Sequence, residues 1–209
     1  MDKKDEPQRI TPAGLPELAE LYFSCLNKIG FDTACIFGGA VRDTDYSARN
    51  KVAIPVNDYD IRVWVPQDDF WGAVNKFCEQ ILTFDGAEVE KLHWWAPHKP
   101  RYEVRLSGGK MDVSFRGASE EALNNSARFA NIARDRAQGS DVGISAIALA
   151  SDLTCWAMPE YLQDCANRTI TVYPSNHDES SLAYADRLIR QKFTTHTVVR
   201  AQKRDLIFV

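Results

Sequence analysis

The sequence predicts an α+β domain, a small mixed β-sheet with helices packed on one face. Three observations point there. Along the 209 residues the apolar pattern switches repeatedly between a helical period and strict alternation. An apolar run, Ala34 to Phe37, ends at the pair Gly38–Gly39 and leads straight into a helical-looking segment. After a loop with one proline comes a β-rich run with carboxylates at alternate positions, Asp58 and Asp60.

Taken in order, residues 1–11 read as a flexible N-terminus. Thr11 to Ile29 reads as a helix, because Leu15, Leu18, Leu21, Tyr22, Cys25, Leu26 and Ile29 share one face, and Gly30 ends it. After the strand and glycine turn, a helix is expected from about Ala40 to Ala48, and Lys51 to Asn57 is a loop. The strand carrying Asp58 and Asp60 ends near Pro66. Asp68 and Asp69 stand where a helix cap belongs, and Phe70, Val74, Phe77 and Ile81 follow at helical spacing. Ala87–Trp95 and Arg101–Leu106 alternate as antiparallel strands, and Ser107-Gly108-Gly109 turns the chain into a strand over Lys110–Phe115. A helix is expected over Ser119–Arg134, and Val142–Ala150 reads as a helix or a buried strand. Glu160–Ala166 is a short helix, Thr169–Tyr173 a short strand, and Ser181 to about Arg204 a basic, mostly helical segment.

The stretch from Cys35 to Val65 carries the chemistry. A glycine turn at a helix start presents free N–H donors and the positive end of the helix dipole, which suits phosphate. Side chains alternate faces along a strand, so Asp58 and Asp60 project together while Tyr59 and Ile61 point the other way. Two carboxylates on one face repel unless a cation sits between them, and hard oxygen ligands suit Mg²⁺. A lone D-x-D is usually a solvated strand end and a lone Gly-Gly usually a turn. The ordered set of strand, glycine pair, helix and acidic strand is more specific than either. Asp112 shares a strand face with Ser114, opposite Met111, Val113 and Phe115, and is a third carboxylate candidate. Arg42 is placed to meet phosphate; Asp43 could orient it, or the two could form a simple intrahelical pair. His93, Trp94, Trp95 and His98 form either a base-stacking platform or a hairpin packing its rings on the core.

At these residues the chain resembles a family. GGAVRD followed by NDYDIRV resembles the head domain of the polymerase-beta superfamily of nucleotidyltransferases, in the branch of tRNA CCA-adding enzymes and bacterial poly(A) polymerases. Asp112, just before Phe115-Arg116, resembles the family's third acidic position. DVGISAIALASD resembles the family's RRDFTINALAYD, with Ser140 where the family has Arg and Ser145 where it has Asn. Ala185 to Phe193 resembles the neck helix through Asp186, Arg187, Arg190 and Phe193, with a shift of register.

The resemblance implies a head domain over residues 12–180 and a truncated neck over 181–209. It implies Mg-dependent transfer of a nucleoside monophosphate from an NTP to a hydroxyl acceptor, with two Mg²⁺ ions, Mn²⁺ being possible. Asp58, Asp60 and Asp112 would be catalytic and metal-binding, and Gly38, Gly39, Arg42, Asp43, Arg187 and Arg190 nucleotide-binding. The acceptor would be an RNA 3′ end such as that of tRNA, or a protein or small molecule. A nucleotide- or partner-binding domain without turnover is the alternative.

Composition narrows the rest. A 44% apolar content supports a core. The net charge of −4 argues against a generic nucleic-acid binder, although from Asp186 onward there are six Lys/Arg against two acids. The charged start lacks an apolar signal region, no run is long enough to span a bilayer, and five scattered cysteines fit a reducing cytoplasm better than a disulfide framework.

Overall fold

Alternating residues build the sheet. In β3 (Tyr59–Pro66) Tyr59, Ile61, Val63 and Val65 are buried, while the residues between them are only partly so. β6 (Gly109–Ala118) repeats the pattern with Met111, Val113 and Phe115. These two strands pair in parallel, with Ile61 opposite Val113 and Asp60 opposite Asp112. The computed structural model describes residues 6–92, 100–106, 109–173, 178–193, 198–203 and 206–208. The sheet is larger than the sequence suggests. It has eight strands in the order β1-β8-β7-β2-β3-β6-β5-β4, including β1 (Gln8–Ile10), β2 (Ala34–Phe37), β4 (Glu88–Leu92), β5 (Arg101–Leu106), β7 (Ile147–Ala150) and β8 (Cys155–Ala157). All its pairings other than β3–β6 are antiparallel, so the sheet is mixed as expected.

One face carries the main core. Ile36, Ile61, Val63, Val113 and Leu149 join Tyr22 and Leu26 of α1 (Ala19–Lys28), Val41 of α2 (Gly39–Asn50), and Val74, Phe77 and Ile81 of α3 (Phe70–Ile81). Fully burying each such side chain stabilises the fold by roughly 1.5–3 kcal/mol. Helices are not confined to that face. Ile132 and Ala133 of α5 (Arg128–Gln138) pack on Cys35, Phe37, Ala148 and Ala150, which point the other way.

Several expectations change. Gln8–Ile10, placed within the flexible start, pairs with Cys155–Ala157. α1 begins at Ala19 rather than Thr11, because Pro12 and Pro16 disfavour helix in the residues before them; Leu15 and Leu21 stay 42% exposed. The helix expected over Ser119–Arg134 is two: α4 (Glu120–Asn124), capped by the Ser119 hydroxyl, and α5. Between them the Asn125 side-chain oxygen accepts from the Ala127 N–H, replacing a helical bond with a local one. The run Val142–Ala150 is a 3₁₀ turn, Gly143–Ser145, followed by β7. α6 (Pro159–Asn167) and β9 (Thr169–Val172) lie where the pattern placed them. The C-terminal segment is not helical to 204. α7 spans Asp178–Gln191, and Val198–Lys203 is a strand, β10, parallel to β9 and antiparallel to β11 (Leu206–Phe208). The run Thr194-Thr195-His196-Thr197-Val198-Val199 is rich in β-branched residues, which favour strand over helix. The His93, Trp94, Trp95 and His98 cluster and the Ser107-Gly108 turn lie outside the described residues.

All five cysteines are free, and burial pushes the Cys35, Cys155 and Cys165 thiols up to about 12. Among the described residues no helix is long and apolar enough to cross a membrane.

The 3₁₀ turn is seated by a buried acid. Asp164 accepts from the Thr169 and Thr171 hydroxyls at 2.7 and 2.9 Å and from the Thr171 N–H at 2.8 Å. A Cβ on Gly143 would stand 2.6 Å from Asp164 Oδ2 and 3.0 Å from the Cβ atoms of Glu160 and Thr171. Gly143→Ala is therefore expected to destabilise the fold by about 1–3 kcal/mol, measured by denaturant unfolding; an unchanged midpoint would show that the turn is loose.

Candidate active site

The site begins where β2 runs out. Gly38 has φ 67° and ψ −131°, a backbone conformation that other residues rarely adopt, and a Cβ there would stand 3.1 Å from Asp60 Oδ2. α2 starts at Gly39, and its first intrahelical donor is the Arg42 N–H, bonded to the Gly38 carbonyl at 3.0 Å. The N–H groups of Gly39, Ala40 and Val41 thus have no intrahelical acceptor, and no side chain caps them. The first turn carries no acid that would compete with an anion.

The two D-x-D carboxylates lean against this turn. Asp58 Oδ1 lies 3.5 Å from where a Gly39 Cβ would be, and Asp60 Oδ2 fills the same place beside Gly38. Asp112 stands opposite Asp60 in the parallel register and is 8% exposed. Asp58, Asp60 and Asp112 therefore gather on one face beside the glycine pair.

Between two of them lies a residue the sequence reading missed. Arg101, at the start of β5, donates from one guanidinium nitrogen to Asp60 Oδ1 at 2.9 Å and to Asp112 Oδ2. Asp112 Oδ1 is buried without a hydrogen-bond partner among the described residues. Burial pushes the Asp60 carboxyl up to about 6; Arg101 opposes that shift, while Asp58 and Asp112 add to it. Among the described residues no three acidic, His or Cys side chains converge closely enough to hold an ion in this arrangement. The orphaned Asp112 oxygen and the crowded Asp60 charge are nevertheless what a hard cation would relieve, so the donor set fits Mg²⁺ or Mn²⁺.

Arg42 and Asp43 are buried behind the turn, yet Asp43 Oδ2 and Arg42 Nη2 lie 3.7 and 3.8 Å from where a Gly39 Cβ would be, beside Asp58. Arg42 is 2% exposed; its Nε donates to Asp43 Oδ1 at 2.6 Å, and its Nη1 to Ser145 Oγ at 3.0 Å and the Tyr184 hydroxyl at 3.3 Å. Its guanidinium also lies 5.3 Å from the Phe193 ring centre. Asp43, fully buried, takes a second bond from Lys192 Nζ at 2.6 Å. The Arg42 Nε and Nη1 donors join α2 to the 3₁₀ turn and α7, which leaves Nη2, beside Gly39, as the Arg42 nitrogen nearest the glycine turn. Ser145 is one of its anchors, while Ser140 bonds the Val142 carbonyl. On α7, Arg190 pairs with Asp186 at 2.7 Å on the surface, and Arg187 lies over the Tyr184 ring. Among the described residues neither contacts Asp58, Asp60 or Asp112, so the structure does not bring them to the site.

A second missed group flanks the acids. Arg62, two residues beyond Asp60, donates to Ser114 Oγ at 2.9 Å. It and Arg136 both lie against the Phe37 ring, at 5.8 and 4.0 Å. Burial and the nearby Arg136 lower the Arg62 pKa. Arg62, Ser114, Arg116 and Trp71 line an open groove that continues along the sheet face from the carboxylates. Face alternation alone placed Arg62 beside Asp60; that Arg136 joins it depends on how α5 docks.

No family model matches the chain, and the search of curated proteins found no match. Among solved structures it is similar to the Bacillus stearothermophilus CCA-adding enzyme in complex with CTP, with a TM-score of 0.51 and 16% identity over 91% of this chain. It spans 41% of that enzyme's length. A fainter likeness, TM-score 0.33 and 15% identity over 59% of this chain and 40% of the other, is to the Cid1 poly(U) polymerase, and it carries no argument. The chain thus shares the fold of the corresponding part of the CCA-adding enzyme.

Asp60 gives the site a pH signature. A carboxyl whose folded pKa, about 6, exceeds its ordinary value of 3.8 binds protons more tightly when folded. Its contribution to stability is thus lost as pH rises from about 4 to 6 and stays lost above. Without metal, Asp60→Asn is expected to remove that part of the slope and raise stability at pH 7 by up to about 3 kcal/mol, read from melting curves in EDTA between pH 4 and 7. An unchanged slope would mean that Asp60 is not electrostatically strained.

Proposed function

We propose that this chain is a divalent-cation-dependent nucleotidyltransferase, moving a nucleoside monophosphate from an NTP to a hydroxyl acceptor with release of pyrophosphate. The observation that carries this reading is the placement of Asp58 and Asp60 against the open N–H groups of a glycine turn, with Asp112 directly across from Asp60. When bound, divalent cations held by Asp58 and Asp60, and on the acceptor side by Asp112, supply charge neutralisation for the triphosphate and the departing pyrophosphate.

The chain's own residues do the rest. The N–H groups following Gly38 donate to phosphate oxygens at the positive end of α2. Arg42 and Asp43 fix the first turn of α2 so that those donors keep one direction, and Arg42 Nη2, beside Gly39, adds positive charge next to the phosphates. The acceptor oxygen attacks the α-phosphorus, the bond from that phosphorus to the bridging oxygen of pyrophosphate breaks, and the acceptor's proton passes to Asp112. The acceptor class is an RNA 3′ end, as for a CCA-adding enzyme, or a hydroxyl of a protein or small molecule. Base choice is not assigned to Arg187 or Arg190, since one lies on Tyr184 and the other on Asp186. Binding without turnover is a second reading, favoured by one observation: Arg101 ties up Asp112.

The two readings part at Asp112. Mg²⁺–NTP at 100 times its dissociation constant should stabilise wild type by about 2.7 kcal/mol and leave Asp58→Ala unmoved. Asp112→Asn should keep NTP affinity within a few fold and cut transfer about a hundredfold or more, measured by calorimetry and by label entering RNA, protein or small molecules. Equal stabilisation of wild type and Asp58→Ala would overturn the nucleotide site. Undetectable transfer by wild type, with intact NTP binding, would establish the second reading.

A further inference from the structure

We propose that Arg101 is a resident cation that occupies the acceptor-side metal position, so that the folded chain takes one divalent ion and admits a second only when Arg101 leaves. This rests on reading Asp58, Asp60 and Asp112 as metal ligands.

Geometry carries it. A bridging divalent ion would sit between the facing oxygens of Asp60 and Asp112. Those oxygens, Asp60 Oδ1 and Asp112 Oδ2, are the two that one Arg101 nitrogen already joins. An ion placed there would share its ligands with a guanidinium and meet a like charge within hydrogen-bond reach. Arg101 belongs to the sheet itself: it opens β5 and stands opposite Ser114 in the antiparallel register with β6. Its side chain is 27% exposed, so solvent offers it a place to go.

Charge balance agrees. Three carboxylates and one guanidinium leave a residual charge that one divalent ion cancels. Asp58 and Asp60 Oδ2, both turned to the glycine pair, are the oxygens left for that ion. Removing the guanidinium leaves an excess that one ion does not cancel. The orphaned Asp112 Oδ1 points the same way, since the guanidinium nitrogen satisfies only the other oxygen of that carboxylate. Arg101 so couples metal loading to whatever draws it off, either an acceptor phosphate or a carboxylate brought by a partner.

The test counts Mn²⁺ by electron paramagnetic resonance, without nucleotide, on the whole chain. Wild type should bind one ion. Arg101→Gln should bind two, the second at least tenfold tighter than any second event in wild type. Arg101→Lys, which keeps the charge, should remain at one, and adding Asp112→Asn to Arg101→Gln should remove the second. Two comparable ions on wild type would overturn the proposal by itself, whether or not the variants fold. One ion on both wild type and a folded Arg101→Gln would overturn it while sparing the metal reading of Asp58 and Asp60. No Mn²⁺ on any of these proteins would overturn both.

Discussion

Three like charges in one small volume are the constraint to which the rest of this structure answers. The parallel pairing of β3 and β6 puts Asp112 directly across from Asp60, and the D-x-D spacing adds Asp58 on the same face. Carboxylates gathered like this are unstable unless positive potential surrounds them. The chain supplies it from three directions. The N-terminus of α2 lies beside Asp58 and Asp60, Arg101 bridges two of the acids, and Arg62 and Arg136 stand behind on the Phe37 ring. Gly38 makes the close approach possible, because any Cβ there would crowd Asp60. Burial still holds the Asp60 pKa up, with Arg101 opposing the shift and Asp58 and Asp112 adding to it.

The glycine turn is held from below. Arg42 and Asp43 form a buried ion pair, and buried pairs endure only when their remaining donors and acceptors are met. Here Ser145, from the 3₁₀ turn, and Tyr184 and Lys192, from α7 and the residue after it, bind the pair. The glycine turn, the 3₁₀ segment and α7 are thereby one mechanical unit. A change at Tyr184 or Lys192 would reach the turn without touching the site face.

What was legible in the sequence was what local periodicity dictates. Alternation fixed the two faces of β3 and β6, and the glycine pair marked the start of α2. The Phe70, Val74, Phe77 and Ile81 spacing placed α3 within a residue. What escaped depends on partners distant in the chain. β1 exists only because β8 is there to pair with it, and Arg101 reaches the acids only through the register of β5 on β6. The burial of Arg42 was invisible for the same reason, since it depends on Ser145 and Tyr184, which lie far along the chain. The division of the helix at Asn125 was written locally, in side chains that compete for the backbone, but apolar spacing does not register it.

The most direct measurement is a crystal structure with Mn²⁺ and a non-hydrolysable NTP analogue, using anomalous scattering to place the metal. The expected result is a manganese peak on Asp58 and Asp60, with the triphosphate on the N–H groups of Gly39 and its neighbours. Manganese bound away from Asp58 and Asp60, or a triphosphate that avoids the glycine turn, would contradict it.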